Sequence, residues 1–174
     1  MGAEFVLFVA GADVLAELFP GWKPALAKPI TRTGVNPFTK AKMTIVVETE
    51  EYAEDEEVES GCNWDRFQEL APLSIGQELN GQCIAKLATP LALTPPLTRR
   101  ALSEPPGSET VVFELVPAVV GALAGVAPKR HAALGKALRS DLPSGEATAL
   151  FGRLVELAAD AKKRKQRLYL IEEV

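Results

Sequence analysis

Residues 4–19, EFVLFVAGADVLAELF, pass from an apolar run into a helical pattern across a single glycine. The run EFVLFV is short, apolar and aromatic, which predicts a buried strand over residues 4–9. Gly11 interrupts that strand, and Asp13 can cap a helix whose apolar residues lie on one side. The stretch therefore predicts a strand followed directly by an amphipathic helix, which a Pro-Gly pair ends.

A second strand–helix unit is predicted in residues 110–126, TVVFELVPAVVGALAGV. The segment TVVFEL has the composition of a strand, and Pro117 suits the first turn of the helix that follows. We expect the two units to contribute to one sheet, with helices packed on one face of it.

The remaining elements connect and extend these two units. We expect a β-hairpin whose strands at 30–35 and 43–50 flank a turn, and a short helix at 63–70 with Asn63 as its cap. The further predictions are a weaker helix over 76–93, a helix over 128–141, the longest helix from 145 to about 165 with Ser144 as its cap, and a final strand in QRLYLIEEV.

Length and composition are those of one domain. The 174 residues are 47% apolar and 24% charged, which are ordinary values for a globular chain that builds its core without disulfides. The predicted fold class is α+β. We expect a single domain over residues 1–174, with a mostly antiparallel sheet of about five strands, helices packed on one face, and an acidic loop at about 48–61.

Negative charge is concentrated in one segment. Residues 48–60, ETEEYAEDEEVES, hold eight acidic side chains and no basic one. The other 15 acidic residues are outnumbered by 19 Lys and Arg, so the rest of the chain is net positive although the whole carries −4. Repulsion between like charges favours a solvated loop, and the same charge density would attract a basic partner. We call residues 48–61 the acidic segment.

Common catalytic and metal-binding sequence patterns are missing. His131 is the only histidine, and its place after two basic residues near a helix start predicts exposure rather than catalysis. Cys62 and Cys83 lack the spacing of a zinc site. The turn AGAD at 10–13 has one glycine where a phosphate-binding loop needs several. We therefore predict that the chain is not an enzyme and holds no metal or cofactor.

Nucleic acid and membrane are disfavoured as partners. The basic run KKRKQR at 162–167 suits the carboxyl end of a helix, and no aromatic platform for nucleic acid accompanies it. No apolar run approaches the ~20 residues that span a bilayer. The two isolated cysteines fit a reducing compartment, so a cytoplasmic localisation is expected.

The predicted binding site combines the acidic segment with a nearby tryptophan. Acidic residues in such a segment would act by charge complementarity, and Trp64 would anchor the interface. The alternatives are a solvated loop and a Trp64 that packs in the core. The predicted site residues are Glu50, Glu51, Glu54, Asp55, Glu56, Glu57 and Trp64.

Short phrases at both ends of the chain also give a resemblance. LFPGW and NPFT lie near the start, and a long helix leads into LYL at the end. In these phrases and in the order of elements, the sequence resembles small uncharacterised bacterial proteins of the immunity or interaction type, over about half of the chain. The resemblance implies a binding role and transfers no site residues.

These features predict a non-enzymatic bacterial binding protein, most concretely an immunity protein that neutralises a toxin through its acidic surface. The expected partner is a basic protein. The alternatives are a structural or assembly component that binds through an apolar patch, and an enzyme of unrecognised type. Salt would weaken a charge-based interface far more than an apolar one.

Overall fold

The computed structural model describes residues 3–26, 30–47, 52, 57–78 and 84–173. The strands are β1 (Ala3–Ala10), β2 (Lys23–Pro24), β3 (Ile30–Val35), β4 (Lys42–Val47), β5 (Leu73–Glu78), β6 (Thr98–Arg100), β7 (Leu102–Ser103), β8 (Thr110–Leu115) and β9 (Arg167–Glu173). The helices are α1 (Ala12–Leu18), α2 (Trp64–Gln68), α3 (Pro117–Ala124), α4 (His131–Leu138) and α5 (Ser144–Arg164), and short 3₁₀ turns lie at Ala85–Leu87 and Pro128–Arg130.

Five strands form one antiparallel sheet in the order β5-β1-β9-β8-β6. The final strand β9 lies between β1 and β8, so Leu170 is paired with Leu7 on one side and with Phe113 on the other. Two smaller antiparallel pairs, β2–β7 and β3–β4, lie outside this sheet. The α+β class and the five-stranded antiparallel sheet are confirmed.

Helices α3, α4 and α5 pack on one side of the sheet, which we call the large-helix face. From the strands, Leu7, Leu168 and Leu170 enter this core, and from α5, Phe151 and Leu154 meet them with no exposed surface. The apolar stripe of α5 recurs at three- and four-residue steps, so one side of the helix covers the sheet while its charged side faces water.

Helices α1 and α2 pack on the opposite side, which we call the small-helix face. Here Phe8, Tyr169 and Ile171 are buried beneath α1 and α2. Phe8 stacks on Tyr169 at 5.3 Å between ring centroids and meets Phe67 of α2 edge-on at 5.1 Å. The predicted packing of helices on one face holds for α3, α4 and α5, whereas α1 and α2 pack on the opposite face. The reason is that β1 and β9 are apolar in both phases of their pleat, so both faces require cover.

The predicted helix over 76–93 is wrong. Residues up to Glu78 form β5, which pairs with the edge of β1 and buries Leu73 and Ile75 by strand alternation. Gly76 adopts a φ of +86° where the register of β1 shifts, a conformation that suits glycine. Farther along, Ala85–Leu87 forms only a 3₁₀ turn. The pairing with β1 outweighs a helical spacing of leucines.

Most other local predictions are confirmed, but the Asp13 cap is wrong, because Gly11 takes the N-cap position of α1 and Asp13 lies inside its first turn. The hairpin of β3 and β4 is present, although residues 48–50 of its second predicted strand lie outside the described part. The Asn63 side chain caps α2 by accepting from the Arg66 N–H at 3.2 Å. Helix α5 begins at Ser144 itself, because the extended Pro143 takes the N-cap position, so the Ser144 cap is wrong. The helix over 128–141 is present as a 3₁₀ turn followed by α4.

Within the described ranges, no helix is both long enough and apolar enough to cross a membrane.

Candidate functional site

Two of the seven predicted site residues fall in the part of the chain that the structure describes, namely Glu57 and Trp64. Both are exposed, with 38% of Trp64 accessible to solvent. The other five lie outside the described residues; they are Glu50, Glu51, Glu54, Asp55 and Glu56.

The described residues of the acidic segment are attached to the small β2–β7 pair. The Tyr52 hydroxyl accepts from the Lys23 N–H at 2.8 Å and donates to the Ser103 carbonyl at 2.8 Å. The Lys23 ammonium lies 4.5 Å from the centre of the Tyr52 ring. Farther along, the carbonyl of Glu59 accepts from the Trp22 indole N–H at 2.7 Å. Two separate points of the acidic segment are therefore fixed to the same neighbourhood.

Trp64 lies on α2, which is joined to α1 by the bond from the Asn63 N–H to the Leu18 carbonyl and by the pair of Arg66 with Glu17. It packs edge-on against Phe67 at 5.3 Å and leaves its outer surface in water. Arg66 is the basic residue of α2, and it pairs with Glu17 of α1 and with Glu69, the residue that follows α2. We call this surface the acidic patch; it comprises Glu17, Glu57, Glu59, Trp64, Asp65 and Glu69, all exposed.

A cleft of about 880 Å³ opens on the small-helix face between α1, β2 and the β6–β8 edge of the sheet. Its walls are apolar and include Leu15, Phe19, Trp22 and Leu102. Charged side chains of β6, β8 and β9 lie at its sheet side, namely Arg99, Glu114 and Arg167. We call this cavity the basic cleft.

Glu114 holds the charged end of the basic cleft together. Its side chain is 6% exposed, and its Oε2 accepts from the Arg99 Nε at 3.2 Å and from a terminal nitrogen of Arg167 at 3.0 Å. A second Arg99 nitrogen lies 3.0 Å from both carboxylate oxygens. A buried carboxylate needs such partners, because an unpaired charge in this position would be very costly. The two arginine side chains are more than half exposed, and both border the cleft.

Tyr169 pairs with Glu114 across the β8–β9 ladder and lies at the floor of the basic cleft. Burial raises the pKa of its hydroxyl above the ordinary value, while Arg167 acts in the opposite direction. The charged pair of Arg99 with Glu114 likewise raises the pKa of Arg99, mainly through hydrogen bonding. The phenol therefore stays neutral and the guanidinium stays charged at neutral pH.

Sequence reasoning missed the basic cleft. Arg99 lies between residues 93 and 110, where the sequence predicts no helix or strand, and Arg167 ends a basic run that suits a helix terminus. The available signal was Glu114, a lone carboxylate within the otherwise apolar strand TVVFEL. A charge in a buried strand requires a partner, but the sequence does not say which basic residue supplies it.

His131 and Cys62 both pack against other side chains of the protein. His131 is half-buried rather than exposed as predicted, and it meets Phe151 edge-on at 5.6 Å because α4 packs closely against α5. Burial, with a contribution from Glu173, raises the pKa of the Cys62 thiol to about 12, which leaves almost no thiolate at neutral pH. Cys83 lies outside the described residues. The described ranges hold no group of three His, Cys, Asp or Glu side chains arranged for a metal ion.

Comparison with protein-family models, with curated protein sequences and with solved structures found no match for this chain.

Proposed function

We propose that this chain is a non-enzymatic binding protein that docks a basic protein partner through the acidic patch and the acidic segment. Most concretely, it would be a bacterial immunity protein that neutralises a toxin. The observation that carries the proposal is Trp64, whose ring is partly exposed on a helix that carries Asp65, while Arg66 of the same helix is paired with Glu17 and Glu69. An aromatic anchor within a charged rim is a common arrangement at protein interfaces.

Charge supports a basic partner. A surface rich in carboxylates speeds encounter with a positive molecule, and this attraction weakens as salt shortens the Debye length. In support of this, Tyr52 and Glu59, two described residues of the acidic segment, bond to Lys23, Ser103 and Trp22, so both are attached close to the chain that follows α1.

A second candidate is an assembly component that binds through an apolar patch. The observation that favours it is the β3–β4 hairpin, on which Phe38 is 91% exposed, with Val35 and Met43 also exposed. Exposed aromatic and aliphatic side chains on one hairpin are a typical feature of an apolar contact surface. This candidate predicts binding that high salt leaves intact.

The test is partner capture by the immobilised protein from lysate of its native organism, at about 0.15 M and about 1 M salt, where the Debye length falls from about 8 to about 3 Å. The triple change Glu54→Gln, Asp55→Asn and Glu56→Gln removes three charges from the acidic segment. Its charge-matched control removes three exposed charges elsewhere, by Glu109→Gln, Glu146→Gln and Glu156→Gln.

We expect the protein to capture a basic partner. This capture should be lost at high salt and lost with the acidic triple or Trp64→Ala, and it should persist with the control triple. Capture that is the same for both triples would overturn the role of the acidic segment. Capture that survives 1 M salt and is lost with Phe38→Ser would instead establish the hairpin as the binding surface.

A further inference from the structure

The basic cleft has a shape and a charge that the proposed protein–protein interface does not use. It lies on the sheet side of α1, lined by Leu15, Phe19 and Trp22, whereas the acidic patch is formed by exposed side chains of α1, α2 and residues 57–59. We propose that the basic cleft is a binding site for a small organic carboxylate with an apolar body. The carboxylate would lie against Arg99 and Arg167, and the apolar body would fill the space between α1 and β7.

Hydrogen-bonding capacity supports an anionic ligand at the charged end. Each guanidinium has five N–H donors. Toward Glu114, Arg99 uses Nε and one terminal nitrogen, and Arg167 uses one terminal nitrogen. Each therefore keeps donors on a side chain that is more than half exposed. Planar guanidinium groups match the two oxygens of a carboxylate and hold it by paired hydrogen bonds.

Glu114 positions the two arginines for this role. Its Oε2 lies within hydrogen-bond distance of both guanidinium groups, so the two groups converge on one point. Because Glu114 is buried, an arginine that moved away would take one of its two charged partners from a carboxylate that water cannot solvate, which disfavours such a movement. The donors are thus held in place before a ligand arrives, which reduces the entropy lost on binding.

The charge balance favours a monoanion. Two guanidinium groups and one carboxylate leave one net positive charge, and Arg100, which also borders the cleft, is already paired with Glu104. A carboxylate would neutralise that charge. A phosphate dianion would leave an excess negative charge next to Glu114 and apolar walls, where charge is poorly solvated.

The walls favour an apolar body. The cleft volume of about 880 Å³ lies within the usual range of small-molecule sites, which are apolar with a few polar groups that fix orientation. Leu15, Phe19 and Leu102 are buried members of the small-helix core and still border the cleft. An aliphatic or aromatic group entering there would complete a core that the protein leaves partly open.

Octanoate is the probe, with octanamide as its neutral counterpart of the same length. The chain has two tryptophans, and Trp22 borders the cleft whereas Trp64 belongs to the acidic patch. In a Trp64→Phe protein, Trp22 is the only tryptophan, so all tryptophan emission comes from a side chain that borders the cleft. We expect octanoate to change this emission saturably with a midpoint below about 1 mM, and octanamide to bind at least ten-fold more weakly.

Variants in the same Trp64→Phe background test the arginine. Arg99→Gln removes one donor pair while Arg167 still pairs with Glu114, and we expect octanoate affinity to fall at least ten-fold. Arg99→Lys keeps the positive charge but lacks the planar guanidinium. Its affinity for octanoate should therefore lie between that of the Trp64→Phe background and that of Arg99→Gln. The matched control is Arg153→Gln, an exposed arginine of α5, which should leave the midpoint unchanged.

Three results would overturn the proposal. The first is the absence of a saturable change in Trp22 emission up to about 10 mM octanoate. The second is equal binding of octanoate and octanamide. The third is displacement of octanoate by inorganic phosphate at a concentration below the midpoint for octanoate binding. The comparison of acid with amide uses an unaltered cleft, so it decides the question even if Arg99→Gln does not fold. None of these measurements depends on the partner of the acidic patch.

Discussion

The two faces of the central sheet are built from the same strands but are covered differently. On the large-helix face, three helices of 8, 8 and 21 residues lie over the sheet, and the cleft at its β6 edge measures about 280 Å³. On the small-helix face, helices of 7 and 5 residues cover less of the sheet and leave the basic cleft of about 880 Å³. Short covering elements leave room for a ligand, whereas long ones close the core.

The two faces also differ in how they use charge. On the large-helix side, Arg139 follows α4, donates to the Ile75 carbonyl of β5 and pairs with Asp141, so its charge joins a helix to the sheet. On the small-helix side, the arginines around Glu114 are more than half exposed and border a cleft. Similar ion pairs thus stabilise the fold on one face and provide donors for a ligand on the other.

The largest expected effect is the loss of a leucine from the closed face. Leu154→Ala should lower the free energy of unfolding by about 2–5 kcal/mol, because it removes a buried side chain and leaves a cavity. The matched change is Leu15→Ala. Leu15 borders the basic cleft, so its loss only enlarges a space that already exists. We expect it to cost about 2 kcal/mol or less, since little new closed cavity forms. Urea unfolding measures both, and equal losses would remove the distinction between the two faces.

A smaller effect is expected at the contact between α4 and α5. A Cβ on Gly135 would collide with the backbone carbonyl of Ala147, so Gly135→Ala should destabilise the protein by about 1–3 kcal/mol. Gly121 of α3 has nothing within 4 Å of the same position. Gly121→Ala should therefore stabilise the protein by about 0.5–1 kcal/mol, through helix propensity. Changes of the same sign in thermal unfolding would contradict the close helix contact.

The smallest effect concerns pH. Hydrogen bonding to Arg139 lowers the pKa of Asp141 from 3.8 to about 2. A depressed folded-state pKa stabilises the protein above the unfolded value, and this contribution is lost as pH falls from about 3.8 to about 2. The stability difference between the natural protein and Asp141→Asn should thus shrink over that range, as urea unfolding at a series of pH values would show. A constant difference would mean that the pair does not stabilise the fold.

Much of the fold could be predicted from local sequence patterns. Strands β1, β8 and β9 are short apolar segments, and α5 repeats its apolar residues over many turns, so each is specified by its own residues. β5 was missed because it is a strand through its pairing with β1, while leucines and Cys83 farther along suggest a helix. Helices on both faces could have been predicted from the apolar residues in both pleat phases of EFVLFV.

The candidate sites were predictable to different degrees. The acidic segment is visible because its charges are adjacent in sequence. The basic cleft is not, since Arg99 and Arg167 lie 15 and 53 residues from Glu114 and meet only when β6, β8 and β9 pair. A pair of strands can bring any two charges together, and a single sequence does not reveal which ones.

In this account of the molecule, the small-helix face binds ligands while the large-helix face maintains the fold. Amide hydrogen exchange with and without saturating octanoate tests it most directly. We predict slower exchange in peptides from α1 and from residues 98–103, and no change in α4. Slower exchange in α4, with none in α1, would contradict the claim.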